Sequence, residues 1–126
     1  MAFKKQLEEM KIEYPFAKEI EIGYSGNYGN MDEFRGVYIR KSKDFDFNQR
    51  FSSSQFIIKY YDLLIATIAT TKETFKDDGA EGTIHIDLVN DRVWAEHSSI
   101  EIIITFEANY ELDLTKETKP QLKPHT

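Results

Sequence analysis

Alternation of apolar and polar residues is the strongest pattern in the chain, and it is clearest in the second half. It predicts three antiparallel strands over residues 82–89, 92–97 and 100–113. Asn90-Asp91 supplies the first turn, because both residues tolerate the left-handed backbone of tight hairpins. Ser98-Ser99 is the expected second turn. The sequence therefore predicts a three-stranded meander.

Counting residues back from each turn gives the register of this meander. The first turn places His85 opposite Glu96, and the second places Trp94 opposite Ile103. Both turns keep the two faces separate, so the apolar residues share one inner face, with His97 among them at a strand end. The apolar members are Ile84, Ile86, Leu88, Val93, Ala95, Ile102, Ile104 and Phe106.

The outer face of the meander is acidic and has a large aromatic residue at its centre. Its carboxylates are Asp87, Glu96, Glu101, Glu107, Glu111 and Asp113. The predicted register sets His85, Glu96 and Glu101 in one lateral row, with the two glutamates forming an unfavourable like-charge pair. An acidic face often has no role beyond keeping the protein surface hydrated. Trp94 indicates a binding surface, because a large aromatic residue on a polar sheet face is a common interface anchor.

The first half of the chain supplies the remaining elements. Residues 3–12 have the apolar stripe of a short helix, and residues 19–24 and 36–40 alternate as strands. Residues 41–51 are a charged connection, and residues 55–75 form the main helix, which is apolar around most of its front half. The order α-β-β-α-β-β-β predicts an α+β two-layer sandwich, with a mostly antiparallel sheet of about five strands and two helices on one face.

Length and composition narrow the class of protein. A chain of this size forms a single domain, here residues 1–113, followed by a flexible C-terminal tail at 114–126. The net charge of −6 argues against nucleic-acid binding and suits a partner with a basic surface. The absence of cysteine excludes disulfides and thiolate zinc sites. No apolar run is long enough for a membrane helix, so a cytoplasmic location is expected.

Two glycine-containing segments, 23–32 and 77–82, form an alternative candidate site. Glycine-rich loops bind phosphate when they open a helix, but the element after residue 32 reads as a strand. Loops that satisfy their own backbone are the simpler interpretation. A small polar ligand such as a nucleotide would contact Tyr24, Asn27, Tyr28, Asn30, Asp78 and Glu81.

Two short motifs carry a resemblance to a known group of proteins. Residues 78–87 read Asp-Gly-Ala-Glu-Gly-Thr-Ile-His-Ile-Asp, and residues 22–29 read Ile-Gly-Tyr-Ser-Gly-Asn-Tyr-Gly. Together they resemble small uncharacterised bacterial and mobile-element domains, of the DUF type, in which a Ser-Gly loop accompanies an Asp-Gly-x-x-Gly entry to a hairpin. Asn27-Tyr28-Gly29 departs from the acidic Ser-Gly loop of that group. The resemblance implies no activity, but it implies that the two segments lie together at one end of the sheet.

Candidate chemistry is sparse. His85, Glu96 and Glu101 could hold a divalent metal, but a flat row without a pocket favours a histidine with carboxylate counter-ions. No Ser/His/Asp or Cys/His arrangement is present, so we predict a protein that is not an enzyme and uses no metal and no cofactor.

The leading hypothesis is a non-catalytic acidic binding protein of bacterial or phage origin. It would inhibit or neutralise a basic protein partner, as immunity or anti-defence proteins do, through the outer face with Trp94 and Ile103. The alternative is the nucleotide-like ligand site. We also predict a homodimer, with Tyr61, Ile65 or the edge at 100–113 in the interface, because the main helix is more apolar than one sheet face can cover and the long last strand overhangs its neighbour.

Overall fold

Alternating strands and amphipathic helices assemble into two layers. The computed structural model describes residues 3–27, 30–42, 45–50, 53–68, 79–101, 104–114 and 122–124. In chain order the elements are α1 (Phe3–Glu13), β1 (Glu19–Asn27), β2 (Asn30–Ser42), β3 (Phe45–Arg50), α2 (Ser53–Lys59), α3 (Tyr61–Thr67), β4 (Ala80–Asp87), β5 (Arg92–Glu101), β6 (Ile104–Leu112) and β7 (Leu122–Pro124).

The strands form one open sheet in the order β3-β2-β1-β4-β5-β6-β7, and each neighbouring pair is antiparallel. The helices cover one face of it, which confirms the predicted α+β sandwich. Two strands lie outside the predicted set. β3 falls in the predicted charged connection, and β7 falls within the predicted tail and pairs with the end of β6.

In the first hairpin of the meander, the side chains lie on the predicted faces of the sheet, but the residues pair in a different register. Its turn occupies residues 88–91, and Asp91 has a φ of 55°, the left-handed geometry expected there. His85 therefore pairs with Trp94, two residues from the predicted partner Glu96. A shift of two residues leaves every side chain on its original face, because the side-chain period of a strand is two.

The predicted turn at Ser98-Ser99 is wrong. β5 continues through both serines to Glu101, which pairs with Ile104 at the start of β6. Serine accepts extended backbone, so it does not require a turn, and continuing the ladder adds four residue pairs beyond His97.

This longer hairpin removes the predicted lateral row. Glu96 pairs with Asn109, and Trp94 pairs with Glu111. Glu96 and Glu101 lie five residues apart on the same strand, so they are not cross-strand partners and the row of His85, Glu96 and Glu101 does not form. Ile103, the predicted partner of Trp94, lies outside the described residues.

The segment predicted as a loop at 23–32 is mostly strand. β1 runs to Asn27 and β2 begins at Asn30, and these two residues pair. β1 also pairs with β4, with Gly26 opposite Ala80. The two glycine-containing segments are therefore adjacent at one end of the sheet, as predicted.

The core lies between the helices and the inner face of the sheet. α1 contributes Phe3, Leu7 and Met10. The five apolar residues of the predicted inner face whose side chains are described, from Ile84 to Ala95, are all buried. The other buried side chains of the core come from α2, α3 and the strands: Ile20, Ile22, Tyr24, Val37, Ile39, Phe56, Tyr60, Leu63, Leu64, Ile68, Ala80 and Leu112.

The main helix is shorter than predicted and is interrupted. α2 and α3 meet at Tyr60, and α3 ends at Thr67 because Ile68 has extended backbone, with φ −96° and ψ 122°. Thr67 and Ile68 are β-branched, which lowers helix propensity, and the Thr67 hydroxyl donates to the Leu63 carbonyl at 2.8 Å. The part of the predicted helix at 69–75 lies outside the described residues.

The predicted overhanging last strand is not present. Residues 100 and 101 belong to β5, β6 begins at Ile104, and β1 lies between β2 and β4. The strand-edge argument for a homodimer is therefore wrong, and the homodimer itself stays a prediction.

Candidate functional site: an acidic outer face

One row of side chains crosses six strands of the outer face. It follows from the register of five strand pairs, and it combines aromatic, acidic and basic side chains. In order across the sheet they are Tyr38, Glu21, His85, Trp94, Glu111 and Lys123. Trp94, the single tryptophan, occupies the middle of this row.

Trp94 is held between two cationic or aromatic neighbours. The His85 ring stacks on it, with ring centroids 5.1 Å apart and an interplanar angle of 15°. The Arg92 guanidinium lies 5.8 Å from the centroid of the indole, within range of a cation–π contact. Arg92 also donates through Nε to Glu111 at 3.2 Å, and this carboxylate raises the pKa of Arg92. These contacts fix the orientation of the indole.

Carboxylates surround His85 on both sides. Its Nδ1 lies 3.0 Å from Glu19 Oε1 and 3.7 Å from Glu21 Oε1, and its Nε2 lies 3.5 Å from Glu96 Oε1. Arg40 forms an ion pair with Glu21 at 2.9 Å. The alternation over residues 19–24 is enough to place Glu19 and Glu21 on the outer face. The pairing of β1 with β4, which brings them to His85, has no local signal in the sequence.

An open depression of about 650 Å³ lies beside Trp94 on the same face. We call it the acidic trough. Its residues are Gly23, Arg35, Glu81, Gly82, Thr83, Glu96, His97, Ser98, Glu107 and Asn109. Gly23 and Thr83 pair and have small side chains, whereas Glu21 and His85, which pair two residues further along the same strands, have large ones. This difference leaves space for the depression.

The charge of the acidic trough is negative. Glu81, Glu96 and Glu107 supply three exposed carboxylates, and Arg35 supplies one guanidinium, which lies 3.2 Å from Glu81. Two negative charges are therefore in excess over an area that water reaches. Such a surface attracts a cationic group and repels an anionic one.

The predicted partner-binding residues are distributed unequally. Trp94, Glu96 and Glu107 lie together in or beside the acidic trough. The Asp87 carboxylate is buried and accepts hydrogen bonds within its own turn, so it takes no part in the trough. Glu101 lies at the far end of β5, and nothing is described of its side chain.

The predicted ligand-binding residues are also separated. The Tyr24 side chain is buried in the core, whereas Glu81 is exposed in the acidic trough. Asn27 and Asn30 pair at the end of the β1–β2 hairpin. The remaining two, Tyr28 and Asp78, lie outside the described residues.

Beneath the acidic trough, a buried tyrosine and histidine form its support. The Tyr24 hydroxyl lies 2.7 Å from His97 Nδ1, and the two rings stack with centroids 5.7 Å apart. Burial raises the pKa of Tyr24, so its hydroxyl stays protonated. The Tyr24 ring passes directly over Gly82, where a Cβ atom would lie 2.4 Å from it. His97 is thus buried on the inner face, as its parity predicted, but it lies within β5 rather than at a strand end.

Comparison with known proteins gives no relative for this arrangement. The sequence matches no protein-family model, and comparisons with curated proteins and with solved structures found no match. None of the helices in the described part of the chain is long and apolar enough to cross a membrane. The site must therefore be interpreted from its own geometry.

Proposed function

We propose that this protein is a non-catalytic binding protein that occupies a basic surface of a protein partner with its acidic outer face. The observation that carries the proposal is the juxtaposition of Trp94 with the three exposed carboxylates of the acidic trough. In protein interfaces, a few residues contribute most of the binding free energy, and aromatic anchors such as tryptophan are prominent among them.

The electrostatics of the face favour this function. Glu81, Glu96 and Glu107 are exposed to solvent. Among the described residues, a lysine or arginine of the partner would compete with Arg35 at Glu81 and with His85 at Glu96. Exposed carboxylates of this kind accelerate encounter with a basic protein and make the association sensitive to salt. Trp94 then supplies apolar contact area.

The biological consequence that we propose is neutralisation. A small acidic domain of bacterial or phage origin that covers a basic substrate-binding surface blocks it by occupancy alone, as immunity or anti-defence proteins do. This step rests on size and charge, because a fold does not define a function.

Affinity capture from the native host tests the proposal. The wild-type protein is expected to retain a basic protein at low salt and to lose it at high salt, and Trp94→Ala should lower the affinity by about 2 kcal/mol, roughly thirtyfold. Ile58→Ala is the matched control, since Ile58 is 77% exposed on the helical layer. Retention of no basic protein, or equal loss with both variants, would contradict the proposal.

A second candidate keeps the nucleotide-like ligand. Its support is that the acidic trough includes Gly23, Glu81 and Gly82, where the two glycine-containing segments pair. The excess negative charge of the trough disfavours an anionic ligand. A thermal-shift panel of nucleotides decides it, and binding that is lost with Tyr28→Ala would favour this candidate over the first.

A further inference from the structure

The surroundings of His85 present a problem of hydrogen-bond donors and acceptors. Carboxylate oxygens face both ring nitrogens, Glu19 and Glu21 at Nδ1 and Glu96 at Nε2. A neutral imidazole has one N–H and one lone pair, so it can donate to only one of these sides. The lone pair of the other nitrogen then faces a carboxylate, which is repulsive unless a proton or a metal ion lies between them.

Burial of this cluster increases the repulsion between the His85 lone pair and the carboxylates. The side chains of His85, Glu19 and Glu21 are 14%, 14% and 17% exposed. The Nε2 atom of His85 is buried and makes no hydrogen bond within normal distance in the described part of the chain. Burial weakens the screening by water, so a cation shared by these groups gains more here than on an open surface.

We propose that His85 Nδ1, Glu19 and Glu21 bind one divalent transition-metal ion, of the class of zinc. One donor atom from each residue lies within 4.8 Å of the others, close enough for a single ion to draw them together. Imidazole nitrogen and carboxylate oxygen are both zinc donors, with metal–ligand distances of about 2.0–2.2 Å. The cysteine-free sequence leaves nitrogen and oxygen donors as the available ligands.

The strand geometry presents these donors together. Glu21 pairs directly with His85 across the β1–β4 ladder, and Glu19 lies two residues away on the same face of β1. Central strands hold these positions rigidly, which is the condition for a preorganised metal site.

The residues around the three ligands fit the roles of an outer shell. Glu96 lies beside Nε2 and can accept its N–H, which leaves the Nδ1 lone pair for the metal. Arg40 lies 2.9 Å from Glu21 Oε1. A carboxylate has two oxygens and about four acceptor positions, so Glu21 can bind Arg40 and a metal together. Trp94 covers one face of the imidazole.

Titration with zinc chloride tests the proposal, and it does not depend on partner binding. Calorimetry is expected to show one zinc per chain in the micromolar range, and emission of the single tryptophan, stacked on His85, should change in parallel. Glu19→Gln, Glu21→Gln and His85→Asn should each weaken binding at least tenfold. Glu96→Gln should weaken it by about tenfold through the outer shell.

The matched control is Glu107→Gln, which removes the same charge from the same face outside the cluster and should leave zinc binding unchanged. Imidazole ¹⁵N resonances of the wild-type protein give a readout that requires no variant, and zinc should shift the Nδ1 resonance of His85. Absence of saturable binding at millimolar zinc, binding that survives both glutamate variants, or coordination at Nε2 would each overturn the proposal.

Discussion

The substitution Gly82→Ala tests most directly how Tyr24 packs beneath the acidic trough. Gly82 lies on β4 opposite Tyr24 of β1, and the Tyr24 ring packs over its backbone. An added Cβ would lie 2.4 Å from Tyr24 Cζ and 2.5 Å from the Glu96 carbonyl oxygen. The second contact is with backbone, so rotation of one side chain cannot relieve both.

The expected cost follows from these contacts. Overpacking a well-filled site costs about 1–3 kcal/mol. Displacement of Tyr24 also breaks its hydrogen bond with His97, at about 1 kcal/mol. Gly82→Ala should therefore lower the free energy of unfolding by about 2–4 kcal/mol.

Urea denaturation followed by tryptophan emission measures this change. With a slope of about 1–3 kcal/mol/M, the midpoint should fall by about 1 M or more. Gly23→Ala is the matched control on the neighbouring strand, because its Cβ would meet Arg35 Cβ at an ordinary 3.5 Å. It should stay within about 0.5 kcal/mol of wild type. A Gly82→Ala protein as stable as the control would refute the packing of Tyr24 over Gly82.

Three further predictions concern stability and assembly. Glu13→Gln should lower the free energy of unfolding by about 0.5 kcal/mol at pH 7. The hydrogen bond from Lys59 is the main cause that lowers the pKa of Glu13. The stability that Glu13 contributes is therefore present above its pKa in the unfolded chain and is lost as the pH falls through its pKa in the folded protein. Urea titrations should show a difference between the variant and the wild type at pH 7 and none at pH 3. Asp87→Ala should cost about 1–3 kcal/mol, because it removes acceptors for the backbone N–H groups of Val89 and Asn90 at 2.9 and 3.0 Å, and equal urea midpoints would contradict this. Light scattering should give the mass of two chains if the predicted homodimer forms, and one chain at all concentrations would exclude it.

The sequence predicted the facing of the strands better than their register. Alternation identifies the buried side of a strand, and an error of two residues at the first turn left His85 and Trp94 on the predicted face. The second turn was misplaced because Ser98-Ser99 is compatible with both strand and turn. β3 was missed although Phe45 and Phe47 alternate with polar residues, a signal that its charged neighbours obscured.

The candidate site was predictable only in part. Trp94, Glu96 and Glu107 were expected on the outer face, since parity alone determines it. The approach of Glu19 and Glu21 to His85 depends on the pairing of β1 with β4, which are separated by about half the chain. No local pattern encodes such a long-range contact. The acidic trough requires five strands in register, from β2 to β6, and the sequence pattern did not predict it.

The central claim is that the acidic outer face contacts the partner. Carbodiimide labelling of carboxylates, read by mass spectrometry with and without the captured partner, measures this directly. The partner is expected to protect Glu81, Glu96 and Glu107, while Asp62, exposed on α3, is labelled equally in both states. Protection of Asp62 with unchanged labelling of the three glutamates would place the interface on the helical layer and contradict the proposed function.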